Sequence, residues 1–109
     1  MNTTHVVLRR VKDADGSRLL EASLTGEGDV LIEGRDFGDG VERAFGVKEY
    51  EWAWTIPTAT IPALLRALGA AGNVLSALAE RFSGDNAALL GPFLEAHEIP
   101  TNHWSRLGD

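Results

Sequence analysis

The sequence predicts an α+β fold: an antiparallel meander of four or five strands, with two to three C-terminal helices packed on one face. Three observations carry this. Strand-like segments separated by Gly- and Asp-rich turns fill the first half of the chain. Pro57 then ends the clearest strand, and the apolar period changes from two to about 3.6. Strands first and helices second is the order of an α+β chain, not of alternating βαβ units. With 109 residues, 44% of them apolar, the whole stretch 1–109 reads as a single domain able to bury its own core.

The elements follow in order. His5 to Lys12 is rich in β-branched residues and reads as a strand, and Asp13-Ala14-Asp15-Gly16 as the turn after it. Arg18 to Thr25 returns, with Leu20, Ala22 and Leu24 on a dry face. Gly26-Glu27-Gly28-Asp29 is a second turn, and Val30 to Glu33 a third strand. Three glycines in seven residues predict a loop or bulge over Gly34–Gly40, and Val41–Val47 an irregular stretch. Lys48 to Ile56 places Tyr50, Trp52, Trp54 and Ile56 on one face, opposite Glu49, Glu51, Ala53 and Thr55. The two indoles are expected in the core, since burying each contributes about 1.5–3 kcal/mol; a stacking platform for a ring is the alternative use of such a pair.

Beyond Pro57, Thr60 is placed to cap a helix with Pro62 in its first turn and Ile61, Leu64, Leu65 and Leu68 as its stripe. Gly69 and Gly72 end it. Asn73 caps a second helix, with Val74, Leu75, Leu78 and Phe82 inward and Glu80 and Arg81 outward. Gly84 stops that helix, and Asp85 or Asn86 caps a third. A turn through Leu90 leads to a restart at Pro92, where proline is tolerated, with Phe93 and Leu94 inward. Pro100 closes the helix, and Thr101–Arg106 is expected to run extended and dock Trp104 on the core.

Composition excludes several classes of function. The chain has no cysteine, which removes disulfides, thiolate nucleophiles and cysteine metal sites and suits a reducing, cytoplasmic setting. The polar start Met1-Asn2-Thr3-Thr4-His5 does not read as a signal peptide, and no apolar run approaches the roughly 20 residues of a membrane span. Of the net charge of −6, residues 26–51 carry −5, eight acids against Arg35, Arg43 and Lys48. A field of that sign disfavours nucleic acid and anionic membranes as partners.

Known motifs are absent or lack their context. Asp36-Phe37-Gly38 spells a kinase magnesium motif without the glycine loop, lysine or catalytic loop that give it meaning. The pairs Gly26/Gly28 and Gly38/Gly40 lack the helix start or lysine of a phosphate cradle and read as turn glycines. Glu33, Asp36, Asp39, Glu49 and Glu51 have no calcium-loop spacing, and His97, Glu98 and His103 do not form a zinc motif. No serine sits in a nucleophile elbow. No catalytic residue, metal ligand or cofactor is therefore assigned.

The segments Gly34-Arg35-Asp36-Phe37-Gly38, Phe45-Gly46 and Glu49-Tyr50-Glu51-Trp52 resemble a group of small bacterial proteins of unknown function, marked by a G-x-D-x-G loop and an E-Y-E-W strand. The similarity runs on through Ile99-Pro100 and Trp104-Ser105 to Gly108-Asp109. It implies a bacterial origin, to which the arginine-over-lysine bias also points, and carries no activity. At the level of class alone, a compact acidic α+β protein is also similar to toxin-neutralising immunity proteins. The sequence thus leads to the expectation of a non-enzymatic protein-binding module. Its acidic surface, with Asp36, Asp39, Glu49, Glu51 and Arg35 as contact residues, would engage a basic protein; the concrete version is an immunity-type inhibitor of a basic toxin. The alternative is a ligand-binding protein or enzyme with a pocket near Gly34–Gly40 and Asp36 as its acid or base. A homodimer formed through an open sheet edge is the third expectation.

Overall fold

The computed structural model of the protein describes residues 4–14, 16–46 and 48–108, giving only the backbone at 40, 45, 107 and 108. The expected polar start at Met1–Thr3, Asp15 of the first turn, Val47 and the terminal Asp109 lie outside the described residues. Five strands form one antiparallel sheet in the order of the sequence: β1 (His5–Asp13), β2 (Gly16–Leu24), β3 (Val30–Phe37), β4 (Glu49–Ile56) and β5 (Asn102–Gly108). Helices α1 (Asp39–Phe45), α2 (Ile61–Leu68), α3 (Val74–Phe82) and α4 (Leu90–Ala96) complete the fold, with 3₁₀ turns over Thr58–Thr60 and Gly84–Leu89. The fold is α+β with a meander sheet, as expected, and the meander has five strands, the larger of the two expected numbers. Among the described residues no helix is long and apolar enough to cross a membrane.

The register makes one face of the sheet dry. Ala22, Ile32 and Trp54 stand across from one another, and next to them Leu20, Gly34 and Trp52. Ala22, Ile32, Val30 and Ile56 are fully buried there, under Leu64 of α2 and Val74, Leu75, Leu78 and Phe82 of α3. The α3 stripe is the one its periodicity predicts. In α2 only Leu64 is fully buried, while Ile61, Leu65 and Leu68 pack at the margin of the core.

The ends of α3 and the β2–β3 turn obey local chemistry. Asn73 Oδ1 accepts the backbone N–H of Ser76 at 2.9 Å, the expected cap. Asn73→Ala should lower stability by about 1 kcal/mol, read as a fall in the urea midpoint at constant slope. Asp29 in the Gly26–Asp29 turn latches the helical layer to the sheet: its Oδ1 accepts from Thr58 N–H at 2.9 Å and from Thr58 Oγ1 at 2.8 Å.

Elsewhere the structure corrects the sequence reading. Gly34–Phe37 is not a loop but the second half of β3, paired residue by residue with Glu49–Trp52. The irregular stretch is mostly helix α1, entered through Gly38 at φ 121° and left through left-handed Gly46, with Val41 buried beneath it. Thr60 gives no side-chain cap, because a 3₁₀ turn leads into α2. The 3₁₀ turn over Gly84–Leu89 likewise has no side-chain cap, so neither Asp85 nor Asn86 plays that part. α4 begins at Leu90 with Pro92 in its first turn, where a missing N–H costs nothing. Trp104 does not dock on the core. Its register opposite Ala53 puts it on the uncovered face, where it is 52% exposed.

Candidate functional site

The site begins with an irregularity in β1. Regular alternation from Val6 would turn Leu8 and Arg10 inward and leave Arg9 outside. Instead Val7 pairs with Glu21 and Arg9 with Leu20, so Leu8 is an extra residue. Such a β-bulge re-aims the side chains around it. Leu8 is buried in the core at 2% exposure, and its neighbour Arg9 projects on the same helix-facing side. The arginine thus enters a cleft that an unbroken strand would have denied it.

Two glycines shape the rest of that cleft. Trp52 lies so closely over Gly34 that a Cβ there would come within 2.1 Å of its Cζ2. Trp54 presses on α4 at Gly91, where a Cβ would meet Cη2 at 2.9 Å. The two rings are 4.7 Å apart, tilted by 34°. Both belong to the margin of the core and are half-buried, so the expectation of core indoles holds in part. Both rings line a cavity of 510 Å³, closed by Ala87, Ala88, Gly91 and Pro92 from the helical layer and rimmed by Arg9, Arg18, Asp36 and Glu95. Small-molecule sites run from roughly 300 to 1,000 Å³ and combine apolar walls with a few polar groups.

Electrostatics single out two groups at the rim. Partial burial pushes the Asp36 carboxyl above its usual range, against the pull of the Arg18 and Arg9 guanidinium groups. Arg9 Nε is buried and lacks a hydrogen-bond partner. Neither Arg9 nor Arg18 closes an ion pair among the described residues.

No protein-family model, curated protein or solved structure matches this chain. The case for a function therefore rests on geometry.

The residues expected to form one acidic surface are divided by the sheet. Asp36 lies on the helix-facing side, in the cleft. Arg35, Glu49 and Glu51 lie on the opposite face, where they make a ladder. Arg35 reaches Glu49 at 3.4 Å and Glu51 at 3.0 Å, and Arg106 of β5 reaches Glu51 at 3.3 Å. A hydrogen bond between the two carboxyls raises Glu49 and lowers Glu51, and Arg106 and Arg35 further favour ionised Glu51. Two of the acids behind the −5 stretch are thus matched by arginines. Asp39 sits apart, beside exposed Phe37 in a shallow 460 Å³ groove at the hairpin end. Among the described residues no three His, Asp or Glu side chains converge to hold a metal.

Arg9, Arg18, Gly91 and Glu95 were not singled out from the sequence. One signal was available for Arg9. The segment Val6-Val7-Leu8-Arg9-Arg10-Val11 places an arginine at each phase of the alternation, so one of them must share the helix-facing side with Leu8. Nothing local says that a bulge decides which.

Proposed function

We propose that this protein binds a small, flat organic molecule in the cleft between β3, β4 and α4. The observation that supports this best is the pair of half-buried indoles, each set against a glycine, lining a 510 Å³ cavity rimmed by Arg9 and Arg18, which close no ion pair among the described residues. An aromatic ring lining a cavity offers a ring ligand an offset or edge-to-face contact worth about 0.5–1.5 kcal/mol beyond the area it covers. Asp36 is the acceptor or proton carrier of that site, the part expected of it in a ligand pocket. The acidic-surface reading draws less support, since Asp36 and the Glu49–Glu51 pair face opposite ways and arginines match the pair.

Trp104→Phe confines the indole signal to Trp52 and Trp54. In that background, titration with the neutral ring alcohol 2-naphthalenemethanol should quench the remaining fluorescence saturably. The additional change Trp52→Leu should weaken the binding about tenfold or more, in line with the loss of a stacked, buried contact. Saturation that is indifferent to Trp52→Leu overturns the reading, and so does the absence of saturation with any flat ring.

A further inference from the structure

We infer that the cleft selects flat rings carrying an oxyanion, a carboxylate or a phosphate, and that Arg9 is the group that reads it. The inference rests on the ligand-binding reading above and concerns which ligands that cleft prefers.

A guanidinium presents Nε and a terminal nitrogen as two parallel donors, a geometry matched to a carboxylate or phosphate edge. Arg9 lines the cleft, and its Nε, which water does not reach, has no acceptor. A buried donor without a partner costs about 1–3 kcal/mol, so an acceptor entering beside Arg9 favours a turn of the guanidinium that completes the bond. Arg18 lines the same cavity as a second cation. The bulge at Leu8 is what turns Arg9 to the dry side. Trp52 supplies the surface for the ring and the arginines the end for its charge.

Asp36 sets the opposing term. It lines the cavity with Arg9 from β1, Arg18 from β2 and Glu95 from α4, and Tyr50 is its cross-strand neighbour. Ionised Asp36 competes with an entering oxyanion for the arginines, whereas protonated Asp36 does not, and its neutral form can donate. An entering anion therefore favours the protonated carboxyl. Its affinity rises as pH falls through the titration of that group, over the range in which the ligand itself stays ionised.

Three probes sharing one ring decide the matter: 2-naphthoate, 2-naphthyl phosphate and neutral 2-naphthalenemethanol, titrated into the Trp104→Phe protein. Expected is an affinity for one or both anions about tenfold above that of the alcohol. Arg9→Gln should remove this gap, and Arg9→Lys, which keeps the charge but loses the fork, should restore part of it. Asp36→Asn should flatten the pH dependence of anion binding; Glu95→Gln, the control for the other rim carboxylate, should not. Equal affinity for all three probes overturns the oxyanion preference, and a gap that survives Arg9→Gln overturns Arg9 as the group that reads it; either leaves the ligand cleft standing. Failure of all three to saturate overturns the cleft itself. The carboxylate and phosphate arms identify which oxyanion fits.

Discussion

Replacing Leu78 by alanine should cost about 3 kcal/mol of stability, within the 2–5 kcal/mol spanned by buried leucine truncations. Leu78 is fully buried at the middle of α3, among Leu64, Leu75 and the sheet residues Ile32 and Ala22 of the same core. Truncation leaves a void beneath a helix that both closes the core and packs on β1 and β2. A domain of this size is stable by only about 5–15 kcal/mol. The loss should appear as a fall of about 12 °C in melting temperature, taking about 4 °C per kcal/mol for a chain of this length. Leu89→Ala is the matched control, because Leu89 is 57% exposed at the end of the second 3₁₀ turn. That change should stay within about 0.5 kcal/mol. Equal losses at the two positions would mean that α3 is not the helix that seals the core.

How far the sequence reveals this molecule depends on whether one physical signal acts alone at a position. Along α3 the 3.6-residue stripe, the Asn73 cap and Gly84 agree, and the helix forms where they say. On β4 the alternation puts Tyr50, Trp52, Trp54 and Ile56 on one face, as the register confirms. Gly34 is misread as loop because glycine serves two ends, turning the chain or yielding space to a neighbour. The side chain that needs the space lies 18 residues further on. Trp104 is misplaced for a related reason. A lone exposed-strand tryptophan carries no periodic partner, and only its pairing with Ala53 fixes the face. The cleft is less legible still. Arg9, Asp36, Trp52 and Glu95 come from three strands and a helix, and the bulge that gathers Arg9 is a property of a strand pair. No short window of sequence contains it.

Gly34→Ala should be a sharper probe of that cleft than any change at its polar rim. The backbone of Gly34 is extended β-strand in the interior of the sheet, where alanine is ordinarily preferred to glycine by about 0.5–1 kcal/mol. Here the added methyl would sit 2.1 Å from Trp52 Cζ2, 2.2 Å from Cε2 and 2.6 Å from Cη2. The stiff indole cannot yield at its tip alone, so the whole ring must lift toward the cavity. Overpacking of this kind costs about 1–3 kcal/mol, enough to reverse the sign of the propensity gain. Two readouts follow the ring. The circular dichroism couplet of the Trp52–Trp54 pair, 4.7 Å apart in the native fold, should weaken, and naphthalene-ring probes should lose their floor. A double-mutant cycle assigns the cause. In a Trp52→Leu background Gly34→Ala should cost less than in the parent, with a coupling above the additivity error of about 0.5 kcal/mol. Gly26→Ala, where the methyl meets nothing within 4 Å, should be nearly neutral in either background. If Gly34→Ala costs the same with and without the indole, the ring is not resting on this glycine, and the cleft must take its shape from α4 alone.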